Sequence, residues 1–469
     1  MAIALLGMRY PAEAQIWEKV YGFKGNDDIN GAILAPDGGL ILAGGSWPVQ
    51  GPDESGNMIH KITPEGVVAW SRDLLLPEKG TAFGIDYSDD GGYVVFGVRG
   101  FQAYLAVTDI EGKVEWWFAY PDSNSLPISF YGGKQAADGG FITIGSIYDG
   151  SLEYPIGGSI QKFDPEGNEI WQTSYFTDGN TTFWRVLEMD DGNFVVLAEH
   201  RKPVSGGTVW GIMALAYSQN GNLLWTKVVA MPAQPGPQYI VRFASFIKFE
   251  NSFLIGVRGP YKYIGRLNAA NGEVYWEHFL DHVPGTNMGL LDAPICITND
   301  AKVAIASRIN GSLKKFWFSR FNIETGEMEW DHIVVSSFDD PPASIDEMVF
   351  IPEGGYYLAG KIFSNADYKN IYVMRTDEMG ETTATYEQNL EAVEVLVYPN
   401  PASGNVFIEV EVIDVDDLEM IVTDVNGRVV RRFRDQRSYI LEGLSKGVYF
   451  LEVWKEGKSV LSQVKFLII

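Results

Sequence analysis

The sequence predicts an all-β protein, in which a seven-bladed β-propeller is closed by its N-terminal strand and followed by a small antiparallel β-sandwich. A Gly-x-x-x-Trp unit recurs about every fifty residues, glycine-rich turns recur between these units, and both patterns end near residue 380. Glycine accounts for 51 of the 469 residues and aromatic residues for 13%, a composition that favours short strands joined by tight turns.

The Gly-x-x-x-Trp unit organises the first part of the chain. Its complete copies are Gly66–Trp70, Gly112–Trp116, Gly167–Trp171, Gly221–Trp225, Gly272–Trp276 and Gly326–Trp330. Trp17 has the spacing of a further unit but lacks the glycine, and Gly380 has the spacing but lacks the tryptophan. The repeated tryptophans are interpreted as core residues between neighbouring blades, not as a ligand cage: Trp17, Trp70, Trp116, Trp171, Trp225, Trp276 and Trp330.

A second turn, usually Asp-Gly-Gly, follows each tryptophan by about twenty residues, as at Asp37-Gly38-Gly39 and Asp90-Gly91-Gly92. Glycine supplies the positive φ that tight hairpins need, so each unit is predicted to hold four antiparallel strands, the pattern of a propeller blade. The seventh blade lacks a tryptophan strand of its own. We therefore expect the strand Ile16–Tyr21 to complete that blade and close the ring.

Two of the Gly-x-x-x-Trp units, together with the residues before them, resemble the repeats of a known family. The segments Arg266–Trp276 and Arg320–Trp330 resemble the repeats of quinoprotein-like (PQQ-like) propellers. That family includes quinone-dependent dehydrogenases and also scaffold proteins without a cofactor. Its dehydrogenases usually have eight blades and an adjacent cysteine pair, whereas this chain counts to seven blades and has the single Cys296. The departures count against a redox role, and no cofactor is expected.

The sequence pattern changes after Gly380 and predicts four segments. Residues 1–14 are interpreted as the remainder of a signal peptide, residues 15–381 as the propeller, residues 382–394 as a linker and residues 395–469 as the β-sandwich. The signal-peptide interpretation rests on the small-x-small site at Ala12–Ala14 and the short apolar run before it, and an ordinary frayed terminus is the alternative.

The C-terminal segment resembles the sorting domain of type IX secretion substrates. The residues that carry the resemblance are Tyr398, Pro399, Asn400, Pro401, Asp424, Asn426, Gly427, Arg428, Gly447, Tyr449 and Lys465. The resemblance implies export across the outer membrane by the type IX machinery, then removal of this domain by a sortase and release or attachment at the cell surface. A plain immunoglobulin-like module is the alternative.

The chain is strongly acidic, with a net charge of −25. Such a surface repels nucleic-acid phosphates and anionic membranes, so neither is expected as a partner. No segment reaches the apolar length of a transmembrane helix. The simplest interpretation of the negative charge is that it keeps the protein soluble.

No catalytic motif stands out, and an enzymatic role is not favoured. There is no Gly-x-Ser-x-Gly elbow, His-Glu-x-x-His or Walker loop. His278 and His282 have a zinc-compatible spacing on a helix, but here they follow a strand, so no metal site is expected. Cys296 lies in an apolar run and is interpreted as a buried hydrophobe.

Carboxylate pairs are the remaining candidates for chemistry. The pairs Asp27-Asp28, Asp339-Asp340 and Asp416-Asp417 are interpreted as solvated turns. Single carboxylates expected near a propeller rim are Asp27, Asp86, Asp339 and Asp346.

These observations leave three functions open. The leading one is a secreted or cell-surface scaffold that binds a protein or a glycan. The alternative is a polysaccharide hydrolase or lyase whose site lies at the central channel. A quinone-dependent dehydrogenase is the third.

Overall fold

A computed structural model gives the structure of the chain. It describes residues 16–22, 26–47, 56–74, 80–99, 102–120, 128–148, 155–177, 179–205, 207–230, 242–258, 262–280, 282–284, 288–310, 314–336, 342–365, 368–381, 394–411, 418–425, 428–434, 438–455 and 459–468. The chain divides into two compact units, Met1–Thr383 and Ala384–Ile469. The predicted signal-peptide remainder and nearly all of the predicted linker lie outside the described residues.

The first unit is a β-propeller whose described residues form seven four-stranded antiparallel sheets, here called blades 1 to 7. Strand β1 (Trp17–Tyr21) precedes them. Blade 1 contains β2 (Asn26–Leu34), β3 (Leu40–Trp47), β4 (Gly56–Ile62) and β5 (Val68–Asp73). Blade 2 contains β6 (Gly80–Tyr87), β7 (Tyr93–Arg99), β8 (Gln102–Thr108) and β9 (Val114–Ala119). Blade 3 contains β10 (Ile128–Gln135), β11 (Phe141–Tyr148), β12 (Pro155–Phe163) and β13 (Glu169–Tyr175).

The remaining blades follow the same order. Blade 4 contains β14 (Asn180–Glu188), β15 (Phe194–Val204), β16 (Gly207–Tyr217) and β17 (Leu223–Ala230). Blade 5 contains β18 (Arg242–Phe249), β19 (Ser252–Arg258), β20 (Tyr263–Asn268) and β21 (Val274–Phe279). Blade 6 contains β22 (Ile295–Ile297), β23 (Lys302–Arg308), β24 (Lys315–Asn322) and β25 (Met328–Val335). Blade 7 contains β26 (Pro342–Phe350), β27 (Tyr356–Asn365) and β28 (Tyr368–Thr376).

Strand β1 completes blade 7, as predicted. It pairs antiparallel with β28, with Trp17 opposite Arg375 and Tyr21 opposite Ile371. The sheet order is therefore β1-β28-β27-β26. The two ends of the propeller sequence are joined by main-chain hydrogen bonds in one sheet, so neither end leaves an unpaired blade.

The middle strands of each blade form the core. Leu40, Ile41, Leu42 and Ala43 in β3 are all fully buried, without the alternation of a half-exposed strand. Both faces of such a strand are covered by the neighbouring blades, which is why these strands are continuous apolar runs. The outermost strand is more exposed, as in β5, where Val68 is 36% exposed.

Each repeated tryptophan packs on the following blade. The indole nitrogen of Trp276 in blade 5 donates to the carbonyl of Ile323 in blade 6 at 2.8 Å. A Cβ at Gly326, whose φ is 72°, would lie 2.6 Å from the Trp276 ring. The positive φ and this contact both require glycine. Equivalent indole-to-carbonyl bonds are Trp17 to Pro64, Trp171 to Gln219 and Trp225 to Ala269.

The second unit consists of two antiparallel sheets. The first has the order β29-β30-β33 and the second β32-β31-β34-β35. The strands are β29 (Glu394–Tyr398), β30 (Val406–Glu411), β31 (Leu418–Asp424), β32 (Val429–Arg434), β33 (Ser438–Leu441), β34 (Gly447–Lys455) and β35 (Ser459–Ile468). Val406 and Ile408 from one sheet share a buried cluster with Val422, Leu451 and Phe466 from the other, which makes the unit a β-sandwich.

The contact between Trp17 and blade 1 is expected to stabilise ring closure as much as an internal contact stabilises two consecutive blades. Trp17→Ala and Trp276→Ala should each lower the free energy of unfolding by about 3 kcal/mol, because each removes a buried indole and leaves a cavity. Ile170→Ala is the control, since Ile170 is 57% exposed on an outer strand and should cost less than about 0.5 kcal/mol. Chemical denaturation measures all three. A loss for Trp276→Ala with none for Trp17→Ala would show that closure does not depend on the indole.

Candidate functional site

The inner strands share a local irregularity that shapes the centre of the propeller. In six of the seven, the pairing register skips a residue. The skipped residues are Asn30, Phe83, Tyr131, Trp184, Ala244 and Asp346, and β26 has a second shift at Ala343. A β-bulge turns a side chain away from the direction that regular pairing would give it. Asn30, Phe83, Tyr131, Trp184 and Asp346 line one cavity.

Glycine on the second strand accompanies the bulge. A Cβ at Gly145 would overlap the carbonyl oxygen of Ser129, and a Cβ at Gly360 would overlap that of Ser344. In these two blades the inner strand approaches its neighbour too closely for a larger residue. Glycine recurs at the fifth position of the second strand in five blades, whereas bulged blade 4 has Ala198 there. This small-residue position is the sequence signal that could have located most of the bulges.

The bulges surround a central cavity of about 400 Å³, and its described lining residues come from blades 1 to 5 and 7. One wall is aromatic. The ring centroids of Phe83 and Tyr131 lie 5.0 Å apart, and those of Tyr131 and Trp184 lie 4.6 Å apart. The hydroxyls of Tyr131 and Tyr148 are hydrogen-bonded at 2.5 Å. Three consecutive blades thus present a continuous aromatic surface to the cavity, which we call the aromatic wall (Phe83, Tyr131, Tyr148 and Trp184).

Seven further lining residues are charged, with Arg185, Arg201, Arg258 and Lys361 as cations and Asp28, Asp346 and Glu347 as acids. We call these seven residues the charged wall. Arg185 in blade 4 reaches across the channel, where its Nη2 lies 3.2 Å from Glu347 Oε1 in blade 7 and 3.4 Å from the Asn30 carbonyl in blade 1. This guanidinium links three blades across the channel.

Two of the cations are held from behind by buried carboxylates. Arg201 Nε donates to Glu199 at 2.7 Å, and its guanidinium lies 4.0 Å from the Trp210 ring. Burial raises the pKa of Glu199, and the charge of Arg201 opposes that shift. Arg258 lies 3.4 Å from the fully buried Asp292.

Asp292 is a fully buried acid that precedes β22 in blade 6. Its carboxylate accepts two hydrogen bonds from Arg308, at 2.5 and 3.1 Å, and its main-chain nitrogen donates to Ser307 Oγ. Because these bonds hold the carboxylate in place, its Oδ1, 3.4 Å from Arg258 Nη1, makes Asp292 a positioning residue for the Arg258 guanidinium.

Two cations share one carboxylate. Arg258 Nη1 lies 3.1 Å from Asp346 Oδ1, and Lys361 Nζ lies 3.7 Å from Asp346 Oδ2. Lys361 also forms an ion pair with Asp28. Asp346 is thus the common partner of cations from blades 5 and 7.

Glu347 is the acid of the cavity whose protonation is altered by burial. Burial raises its pKa to about 8, Arg185 opposes the shift, and the adjacent Asp346 adds to it. At neutral pH the Glu347 side chain is therefore largely a neutral acid. It can then donate a proton or a hydrogen bond inside the cavity.

The structure corrects the interpretation of Asp27-Asp28 as a solvated turn. Both residues lie in β2, where Asp27 is 1% exposed and accepts a hydrogen bond from Ser46 Oγ at 2.6 Å. Asp28 and Asp346 line the cavity, while Asp27 and Asp86 do not. Asp86 is the next-to-last residue of β6, three residues beyond the bulge at Phe83. The pairs Asp339-Asp340 and Asp416-Asp417 lie outside the described residues.

The other sequence candidates have structural partners. His278 Nε2 donates to the Gly326 carbonyl at 2.7 Å, next to Trp276. Within the described ranges no group of three or more His, Cys, Asp or Glu side chains is placed to hold a metal ion. Cys296 is buried, and burial raises the pKa of its thiol.

The motif residues of the C-terminal unit lie mainly at strand ends. Tyr398 stacks on Phe407 with centroids 5.7 Å apart, and Asn400 Oδ1 accepts from the Leu467 amide at 3.0 Å. Pro399 and Pro401 follow cis peptide bonds. Asp424 accepts from the Arg428 amide at 3.1 Å, across the predicted Asn-Gly turn.

Tyr449 follows Gly447 at the start of β34 and is the buried member of the motif. Its ring stacks on Phe466, and its hydroxyl donates to the Ser445 carbonyl at 2.8 Å. Asn426, Gly427 and the Lys465 side chain lie outside the described part.

Residues 396–469 match the family described as the secretion system C-terminal sorting domain. The protein is therefore a substrate of type IX secretion, found at the cell surface or outside the cell, and its C-terminal domain interacts with the secretion machinery. No curated protein matches the chain. No helix among the described residues is long and apolar enough to cross a membrane.

Solved structures similar to the chain include several propellers. BamB from Moraxella catarrhalis is 15% identical, with 83% of this chain and 97% of that chain covered and a TM-score of 0.39. A puromycin hydrolase is 10% identical, with 82% and 59% covered and a TM-score of 0.46. A polysaccharide lyase, the PL25 ulvan lyase, is 12% identical, with 78% and 97% covered and a TM-score of 0.49. None of these likenesses bears on what this chain binds or catalyses.

The raised pKa of Glu347 predicts a stability that falls as pH rises. The unfolded chain loses this proton near pH 4.5 and the folded chain near pH 8. The stabilisation from this group is therefore fully present below about pH 4.5 and is lost as the pH rises to about 8. Glu347→Gln should lie close to the wild type at pH 5 and exceed its unfolding free energy by roughly 5 kcal/mol at pH 9. Denaturation at the two pH values measures this, with Glu115→Gln on an exposed strand as control. Equal stabilities at pH 9 would contradict the assignment.

Proposed function

Since the chain is an exported protein with a sorting domain at residues 396–469, we propose that its propeller binds a glycan in the central cavity. The observation that carries the proposal is the pairing of the aromatic wall with the charged wall around one space of about 400 Å³. That volume falls within the range of about 300 to 1,000 Å³ typical of small-molecule sites.

The aromatic wall suits the apolar face of a sugar. Pyranose rings present C–H groups on one face and hydroxyls around the edge, and the C–H face packs on aromatic rings. Phe83, Tyr131 and Trp184 offer adjacent rings to such a face, each from a different blade.

The charged wall suits the sugar hydroxyls. Guanidinium and carboxylate groups are strong donors and acceptors, and pairs of them can bind neighbouring hydroxyls together. Arg258 and Asp346 form one such pair and Lys361 and Asp28 another, all lining the same cavity. Their positions are set by ion pairs before any ligand arrives, which limits the ordering cost of binding.

The finer assignments of the two units belong to the same proposal. The blades are proposed to be related to quinoprotein-like repeats of the scaffold kind, on the strength of the Asn-x-x-x-Gly-Glu-x-x-Trp turns at Asn268–Trp276 and Asn322–Trp330. The C-terminal domain is proposed to be removed by a sortase after export.

A second candidate function is hydrolysis or lysis of a polysaccharide at the same cavity. The specific observation in its favour is the adjacent acidic pair, in which Glu347 is held protonated beside Asp346. Such a pair can supply a general acid and a carboxylate at one bond. Release of reducing ends from a bound glycan, abolished by Glu347→Gln, would support catalysis, whereas binding without release would support a purely binding role.

Removal of the aromatic wall should weaken glycan binding. Trp184→Ala in the full-length protein is expected to lower the affinity for a glycan identified by array screening by about tenfold, since a stacking contact is worth about 1 kcal/mol beyond its buried area. Trp184→Phe should restore most of the affinity. Phe176→Ala, which removes an aromatic ring that is 54% exposed and outside the cavity, is the control. Unchanged affinity for Trp184→Ala would place the ligand elsewhere.

A further inference from the structure

The charged wall carries information about the class of sugar. We propose that the cavity selects a sugar bearing a carboxylate, a uronic acid, whose anion is held between Arg258 and Lys361. This inference rests on the proposed function, because it names the ligand of the same cavity.

The first observation is the contrast between the cavity and the whole chain. The chain has a net charge of −25, with 36 lysines and arginines against 61 acids. The cavity lining nevertheless carries four cations and three acids. Concentration of cations in one concave site of an otherwise acidic protein creates a local field that favours an anion.

The buried carboxylates behind the wall reduce this excess but do not remove it. Glu199 and Asp292 compensate Arg201 and Arg258, while Arg308 is a further cation beside Asp292. The five cations then meet five acids. Glu347 is largely uncharged at neutral pH, so these ten described side chains together carry one positive charge in excess.

The geometry shows where a ligand carboxylate would bind. Arg258 and Lys361 both face the carboxylate of Asp346, at 3.1 and 3.7 Å. Each cation has a second acid that keeps it in place, Asp292 for Arg258 and Asp28 for Lys361. A sugar carboxylate can therefore take over part of the role of Asp346 without either cation losing all of its partners. A carboxylate is the anion that these cations already bind.

The aromatic wall lies within electrostatic reach of one cation of the charged wall. Burial raises the pKa of Tyr131, and the positive charge of Arg201 acts against that shift. A pyranose stacked on Tyr131 and Trp184 would thus lie near the Arg201 guanidinium, in the cavity that Arg258 and Lys361 also line. The anionic substituent of a uronic acid is carried at the ring edge, which agrees with this arrangement.

Selection of an anion predicts a link between binding and pH. Glu347 is faced by Arg185 from β14, by Lys361 from β27 and by Asp346 beside it. Its ionisation around pH 8 adds a negative charge to the site, so the affinity for an anionic sugar should fall above that pH. A neutral sugar should show a much smaller change.

The experiment compares matched acid and ester forms of the same sugars. The full-length protein is titrated calorimetrically with oligomers of galacturonate, glucuronate and alginate, and with their methyl esters, which keep the ring but lose the charge. Sulfated neutral oligosaccharides and unmodified neutral oligosaccharides form two further arms. We expect at least one acid to bind at least tenfold more tightly than its ester, and less tightly at pH 9 than at pH 6.

Variants assign the effect to the cavity. Arg258→Met and Lys361→Met should reduce the preference for acid over ester at least fivefold, and Glu347→Gln should flatten the dependence on pH. Lys162→Met is the matched control, because Lys162 is similarly buried and paired with an aspartate, but outside the cavity. Thermal unfolding checks that each variant is folded. If Lys361→Met does not fold, two measurements still test the proposal: the ratio of acid to ester affinity for Arg258→Met, and the pH dependence of binding for Glu347→Gln.

The outcomes separate the two proposals. Equal binding of acids and esters, or preference for sulfated sugars, would overturn the carboxylate assignment and leave glycan binding intact. Failure of every glycan, charged or neutral, to bind would overturn both proposals. A preference for acids that survives Arg258→Met and Lys361→Met would move the anion site away from these two cations.

Discussion

The contact between an indole and the turn of the next blade is the interaction on which the propeller depends. A single blade is a small sheet with two apolar faces, and it cannot bury either one alone. Trp276 lies against Gly326 and donates to the Ile323 carbonyl, so each blade fixes the position of its successor. The same contact between Trp17 and the turn at Pro64–Gly66 joins the last blade to the first. One repeated contact therefore sets how each blade is placed against the next around the ring.

The central cavity is a consequence of that ring, modified by the inner-strand bulges. Regular inner strands would direct alternate side chains into the neighbouring blades. The extra residue in five of the inner strands instead sends Asn30, Phe83, Tyr131, Trp184 and Asp346 toward the axis. Small residues on the second strand accommodate the distortion, as Gly145 does beside the Ser129 carbonyl. The bulged residue, which interrupts the hydrogen-bonding of its sheet, therefore supplies a side chain to the cavity lining.

Charge burial in this cavity is balanced by mutual pairing. Arg185, Arg201, Arg258 and Lys361 each have an acidic side chain as partner, and these partners come from blades 1, 4 and 7. An unpaired ion in this place would be costly, whereas a network can exchange one carboxylate for another. Glu347 is the member that responds to its surroundings by keeping its proton. A ligand that enters such a network competes with internal partners, which favours selectivity over raw affinity.

The sequence by itself determined the all-β class, the blade repeat, the closure by β1 and the sorting domain, because each depends on local spacing: glycine turns, tryptophan every blade and an ordered set of C-terminal motifs. Only the tertiary structure decided the site. Asp28, Arg185, Arg258 and Glu347 are separated by long stretches of chain, and no local pattern marks them as neighbours. The interpretation of Asp27-Asp28 as a turn was wrong for the same reason, since the pair resembles a turn until ring closure buries it. Repeats encode a fold locally, whereas a site on the ring axis draws its residues from many repeats at once.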